Sequence, residues 1–222
     1  MPLGDVAAYV EFSRVLDLEV NEFVQRLAAA VHARGEPWIR DVVPALGGLA
    51  LHFDPDFDGA VPDMAAELIE RCLKDGLPPA EDLGRDVEVP VCYDTALGLD
   101  LAEVAAKTRL TPEDVAARHA AGAYRVLMIG FAPGHAYMGG LDAKLAVARR
   151  ASPRSQVAAG SVAIANEQTV IYPYAIAGGW NIIGRTPLAV FDAARERPSL
   201  FTAGDRVRFR VISRAEFDQF NR

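Results

Sequence analysis

The sequence predicts an α+β protein: an N-terminal β-α-β-β-α-β domain over residues 1–93 and a C-terminal β-barrel domain over residues 94–222. Three observations carry this. Apolar residues recur with helical spacing at Val20, Phe23, Val24, Leu27 and Val31, between short apolar runs that read as strands. From Tyr124 onward the chain is a series of short β-like runs separated by Gly- and Pro-rich turns, the pattern of a closed or nearly closed barrel. The last run alternates cleanly, with Val207, Phe209 and Val211 on one side and Arg206, Arg208 and Arg210 on the other.

In chain order, residues 6–12 form the first strand and residues 17–33 the first helix, stopped by Gly35 and Pro37. Residues 39–46 and 49–53 read as a hairpin around Gly47-Gly48, and Asp54-Pro55-Asp56 is a turn cluster. Pro62 opens a second helix through Met64, Leu68, Ile69 and Leu73, which ends near Gly76. Residues 86–92 alternate Val87, Val89 and Val91 against Asp86, Glu88 and Pro90, completing the split arrangement of ferredoxin-like folds. Two short helices follow. Asp100 is placed as an N-cap with Glu103 three residues on, and Thr111-Pro112-Glu113-Asp114 supplies a cap, an N1 proline and acid in the first turn. The barrel strands are expected at residues 124–129, 161–165, 169–172, 181–183, 188–191 and 206–211, with a helix capped by Ser213 and Glu216 at the end.

Composition narrows the function. With 51% hydrophobic and 24% charged residues the chain has the mix of a soluble globular protein. A formal charge of −7 argues against general nucleic-acid binding, and matched acids and bases along the two short helices argue against a helix-turn-helix role. No apolar run approaches the ~20 residues needed to cross a bilayer. The start, Met1-Pro-Leu-Gly-Asp5, has neither the basic nor the apolar region of a signal peptide, so a cytoplasmic location is expected. Cys72 and Cys92, with no CxxC, give neither a disulfide framework nor a zinc site, and the four histidines show no metal-ligand spacing, so no metal is expected. The glycines of residues 130–140 lack the Lys and hydroxyl of a phosphate-binding loop, no G-x-G-x-x-G follows a strand, and Ser161 is not in a G-x-S-x-G elbow.

The functional signal lies between Tyr124 and Asp192, where glycines, aromatics and arginines share short loops. His135 and Arg185 are the candidates for chemistry. His135 sits in the glycine-rich loop, either as a proton shuttle or donor near neutral pH or as a loop histidine bonded to backbone. Arg185, pinned between Gly184 and Thr186-Pro187, is read as a grip on a carboxylate or phosphate. Lys144, Arg149, Arg150 and Arg154 form a basic run that either joins that grip or is solvated strand-edge charge; Arg150 is the member taken into the candidate site. Gln168, Thr169 and Tyr172 lie on one strand, with Gln168 and Tyr172 on the same face. The small-molecule site is completed by Gly134, Tyr137, Gly139, Gly140, Gly179, Trp180, Asn181 and Thr186.

On these motifs the chain resembles the KipI family, which includes the B-type subunits of 5-oxoprolinases and is also described as allophanate hydrolase subunit 1 and as the carboxyltransferase subdomain of urea amidolyases. The family pattern G-F-x-P-G-F-x-Y-L-G-G-L is met by residues 130–141, P-A-G-S-V-x-I-A by residues 158–165, and S-P-G-G-W-x-x-I-G-R-T-P by residues 177–187. Departures are His135 where an aromatic is usual, Ala158 where Pro is usual, and Ile176-Ala177 where Ser-Pro is usual. The resemblance implies a cyclophilin-like barrel in the second domain and a homologous partner of the KipA type, the C-type subunit of 5-oxoprolinases. It also implies a third subunit, with which the complex opens 5-oxo-L-proline to L-glutamate using ATP; this chain carries no nucleotide motif of its own. Two alternatives accompany it: a KipI-like inhibitor of a sensor histidine kinase, and the carboxyltransferase component of a urea carboxylase or allophanate hydrolase system.

Overall fold

The computed structural model describes residues 1, 3–57 and 61–220, with the Pro62 side chain outside the described residues, and divides into two units, Met1–Gly84 and Arg85–Arg222. In the first unit, strand β1 (Ala7–Glu11) is followed by helix α1 (Leu18–Ala33), β2 (Ile39–Pro44), β3 (Gly48–Phe53) and helix α2 (Val61–Asp75). Asp17 caps α1, its carboxylate accepting from the N–H groups of Glu19 and Val20. The strands form an antiparallel sheet in the order β1-β3-β2, with β3 central and buried along its length. The apolar stripes of α1 (Val24, Leu27, Val31) and α2 (Ala65, Leu68, Cys72) pack with Leu49, Leu51 and Phe53 into one core.

The second unit begins with β4 (Asp86–Val91), helices α3 (Leu101–Thr108) and α4 (Pro112–Ala121), then β5 (Tyr124–Ile129), β6 (Ala136–Gly139), β7 (Arg154–Val157), β8 (Ser161–Ala165), β9 (Gln168–Ile171), β10 (Ile176–Gly178), β11 (Asn181–Arg185) and β12 (Arg206–Val211), ending in helix α5 (Arg214–Gln219). Seven strands run in the order β11-β8-β9-β6-β5-β12-β4. The two outermost strands of that order meet. Cys92, just past β4, and Arg185 at the end of β11 exchange N–H···O bonds of 2.9 Å in both directions, closing the sheet into a barrel. Closure depends on Gly184, where a Cβ would stand 2.9 Å from the Cys92 carbonyl oxygen.

Several sequence expectations change here. The β-α-β-β-α-β order holds, but its last strand, β4, pairs in parallel with β12 over six residues, from Arg206↔Asp86 to Val211↔Val91, and so belongs to the barrel. The division therefore falls after Gly84 instead of residue 93. The two strands share the barrel core through Val89, Val91, Val207 and Phe209, and on the exposed face Arg206 and Arg210 bond Asp86 and Glu88, each at 2.9 Å. Residues 188–191 form no strand, Phe191 making only an isolated bridge to Ser199, whereas β6, β7 and β10 are added. Thr111 and Ser213 make the expected capping boxes. Asp100 stands at the N-cap of α3, as expected, but its side chain makes no capping bond; its buried carboxylate accepts from Arg150 at 2.6 Å, Arg154 at 2.8 Å and the Ile182 N–H at 2.8 Å. Two guanidinium groups outcompete a helix end for one buried anion.

Alternation along the barrel strands sorts side chains to two buried faces. Val162, Ile164, Ile171 and Ile183 point into the barrel with Val126, Met138, Val207 and Phe209. Ala163, Val170, Tyr172 and Ile182 point outward and are covered, with Val157 and Trp180, in a second cluster that includes Tyr137. The ribbon formed by β7 and β10 supplies Val157 and Ile176 to that outer cluster. No helix among the described residues is long and apolar enough to cross a membrane.

Candidate functional site

The outer cluster opens into a cavity of about 260 Å³ whose wall is largely aromatic: His135, Tyr137, Tyr172 and Trp180, with Phe131 at the rim. Each wall residue has a local reason to be there. Tyr137 projects from β6 and Tyr172 follows directly after β9, both on the outward face. Trp180 sits between β10 and β11, and Gly178 lets it close the wall, because a Cβ there would meet the Tyr172 hydroxyl at 2.1 Å. The Tyr137 and Trp180 rings meet edge to face at 5.9 Å. Phe131 has φ of 71°, an uncommon conformation for an aromatic residue, which turns its ring outward to 70% exposure while keeping it 5.4 Å from the His135 ring.

His135 is buried to 2% exposure among three aromatic rings, Phe131, Tyr137 at 4.9 Å and Tyr172 at 5.5 Å. Burial pushes its pKa down to about 4, its own backbone opposing only partly, so the imidazole is neutral at physiological pH. Its Nδ1 is sealed from solvent and has no hydrogen-bond partner. The one cation on the cavity wall is Arg149, its guanidinium carbon 5.3 Å from the centre of the Trp180 ring. No carboxylate among the described residues pairs with it, and its charge acts against the burial that raises the Tyr137 and Tyr172 phenols.

The structure therefore gathers His135, Tyr137, Tyr172, Gly179 and Trp180 in one place and disperses the rest of the predicted set. Arg185 lies elsewhere: its Nε donates to the Ala159 carbonyl at 2.8 Å, and it lines a separate, more open groove of about 550 Å³ with Leu97, Leu99 and Ile182. His135 and Arg185 thus share no cavity. Arg150 is paired with Asp100, and with Glu103 at 3.5 Å, and does not line the cavity. Thr169 faces the barrel interior, accepting from one buried histidine and donating to the Ala163 carbonyl. Asn181 donates to the carbonyls of Ala148 and Ile164, and Thr186 accepts from the Leu188 N–H. Gly134 and Gly140, with φ of 75° and 100°, shape the turns at either end of β6, and Gly139 is a paired strand residue. Gln168 shares the outward face with Tyr172 but does not reach the cavity, and its Nε2 is buried without a partner.

Phe131, Arg149, Pro153 and Gly178 also line the cavity, although the motifs did not single them out for the site. Arg149 belonged to the basic run; what separates it from Arg150 and Arg154 is Asp100, which takes the other two. Among the described residues no group of three or more His, Cys, Asp or Glu is placed to hold a metal. A nucleotide fits poorly: a triphosphate needs several donors and cations, and this small cavity offers one arginine.

Comparison with known proteins gives four findings. The family model described as "Carboxyltransferase domain, subdomain C and D" matches residues 1–201. A Bacillus subtilis (strain 168) protein, named as the B subunit of 5-oxoprolinase, is 36% identical over 98% of this chain and 94% of its own length. Among solved structures, TTHA0988 is 38% identical with a TM-score of 0.80, covering 93% of this chain but only 40% of its own. The urea carboxylase of Kluyveromyces lactis, at 19% identity, shares the fold with a TM-score of 0.71 over 97% of this chain and 22% of its own.

Proposed function

The chain belongs to the family of carboxyltransferase domains, subdomains C and D, and on that premise we propose that it is the B-type subunit of an ATP-dependent 5-oxoprolinase. The observation that carries this reading is the near full-length likeness to a relative of that name. The site agrees with one subunit's share of the work. It has a small, partly open cavity with aromatic walls and one cation, suited to a compact organic acid, but no paired nucleophile and base and no cradle for a triphosphate. A five-membered lactam is a stable amide, so its opening draws on ATP bound elsewhere in the complex. The partners in this reading are a homologous KipA-type subunit and a third subunit, and the assembly is cytoplasmic.

Co-expression with both partner subunits, followed by a 5-oxoproline-dependent ADP-release assay, tests this. The expected result is co-purification across an interface of roughly 1,600 Å² or more, turnover by the assembly, and none by this chain alone. Full turnover by the isolated chain would refute a composite site. An intact assembly that released no ADP with 5-oxoproline would refute the substrate.

A further inference from the structure

We infer that the aromatic cavity is a lactam-acid subsite, in which Arg149 takes the ligand's carboxylate, Trp180 and Tyr172 flank its ring, and His135 accepts the ring N–H. This rests on the 5-oxoprolinase reading for its choice of ligand, and deepens it by assigning recognition to residues of this chain.

Size comes first. At about 260 Å³ the cavity is smaller than the ~300–1,000 Å³ typical of drug-sized ligands, which favours a single small ring over a peptide or a nucleotide. Charge comes second. Arg149 is the only basic side chain lining the cavity; stacked on Trp180, it has no acidic partner among the described residues. Its neighbours Arg150 and Arg154 are both held by Asp100, and the Arg150 N–H donates to the Gly179 carbonyl at 2.8 Å. The segment that carries Arg149 is thereby tied to the opposite edge of the cavity, while its guanidinium stays free for an anion.

Polarity comes third. His135 is neutral at working pH, and its Nδ1 is sealed away, so Nε2 is the nitrogen left for an occupant. In the neutral imidazole that carries its proton on Nδ1, Nε2 presents a lone pair. A ring that carries an uncharged N–H and a carboxylate satisfies both polar groups at once. L-Proline keeps the carboxylate and the five-membered ring but has a cationic ring nitrogen and no lactam carbonyl, so it serves as the comparison ligand.

Calorimetric titration of the full chain, alone and in the assembled complex, with Trp180 fluorescence as a second readout, tests the assignment; Trp38 is replaced by Phe to remove the other tryptophan signal. The probes are 5-oxo-L-proline, pyrrolidin-2-one (no carboxylate), N-methyl-5-oxoproline (no N–H) and L-proline. We expect 5-oxoproline to bind. Loss of the carboxylate, or Arg149→Gln on the exposed rim, should weaken it about tenfold or more, as for one charge-assisted bond. N-methylation should cost about tenfold in the parent chain and little in His135→Phe, which keeps the ring packing. Absence of binding in both preparations, equal binding of pyrrolidin-2-one, or an N-methyl penalty unchanged by His135→Phe would overturn the subsite. ADP release separates the two ideas. Turnover with unchanged KM in both variants would leave the enzyme reading standing without this subsite. Arg149-dependent lactam binding without turnover by the complex would leave the subsite standing without that enzyme.

Discussion

Two buried histidines, about equally enclosed by aromatic rings, have opposite polar surroundings. His119, on α4, is fully buried inside the barrel against Tyr93, Tyr124 and Phe209. Both its ring nitrogens are satisfied: Nδ1 lies 2.7 Å from the Tyr93 hydroxyl and Nε2 lies 2.9 Å from the Thr169 hydroxyl. Because Thr169 already donates to the Ala163 carbonyl, it accepts from His119 Nε2–H, and Tyr93 then donates to Nδ1. The chain of donors fixes one tautomer. His135, on the outer face, has aromatic walls of the same kind but an unpartnered Nδ1 and a cavity beside it. A buried polar group that is fully paired specifies a fold; the sealed Nδ1 of His135 stays unpaired, and only the other ring nitrogen is left for an occupant of the cavity.

The largest expected effect comes from acid, because both histidines are neutral in the fold. Burial lowers His119 to about 3 and His135 to about 4, against about 6.5 in an unfolded chain. The folded-state values are the lower ones, so as pH falls the unfolded chain takes up protons first. The stability contributed by neutral histidine is complete above about pH 6.5 and is lost on the way down to pH 4 and 3. At pH 4 each histidine should cost about 3 kcal/mol relative to pH 7.5. Chemical denaturation across that range checks this, and in His135→Phe the loss should fall by about 3 kcal/mol. An unchanged acid slope in that variant would mean that His135 is solvated and charged in the native protein.

Next in size is removal of the paired histidine at neutral pH. His119→Ala leaves a void, strands the Tyr93 hydroxyl and takes from Thr169 the donor it accepts from, costing about 4 kcal/mol. Thr169→Val, which keeps the volume but removes the acceptor, should cost about 1–3 kcal/mol. Denaturant midpoints measure both. If Thr169→Val were neutral, the barrel network would be ornamental and the contrast with His135 would lose its first half.

What the sequence disclosed follows the same division. Strands with strong alternation or long apolar runs were legible to the residue: β5, β8 and β12 match their expected bounds. The missed strands are short and polar or glycine-bearing, such as Arg154–Val157 and Ile176–Gly178, and pair with one another to cover the outer cluster. Periodicity located β4 correctly but could not name its partner, since pairing with β12 is settled by a contact more than a hundred residues away. At the site, motif density found His135, Tyr137, Tyr172 and Trp180. It failed to separate Arg149 from Arg150, because the distinction lies with Asp100, which spacing alone reads as a helix cap. Arg185 drew notice for the glycine and proline around it; Gly184 serves the backbone bridge to Cys92 that closes the barrel, and the Arg185 side chain lines a different groove.

The smallest effect is the most discriminating. At pH 7.5, His135→Phe exchanges a neutral ring for one of similar size at a position held by packing against Phe131, Tyr137 and Tyr172. No hydrogen bond to the imidazole is broken at Nδ1, and a buried nitrogen without a partner is removed. Its replacement by carbon should leave stability within about 1 kcal/mol of the parent, on the favourable side if on either. A denaturant midpoint well below the parent's would show that the imidazole has a structural partner in solution and belongs with His119. A midpoint equal to or above it, together with the reduced acid loss, would place His135 among groups that the fold keeps neutral and unpaired without any return in stability. That combination separates the two histidines by measurement, using one substitution and two pH values.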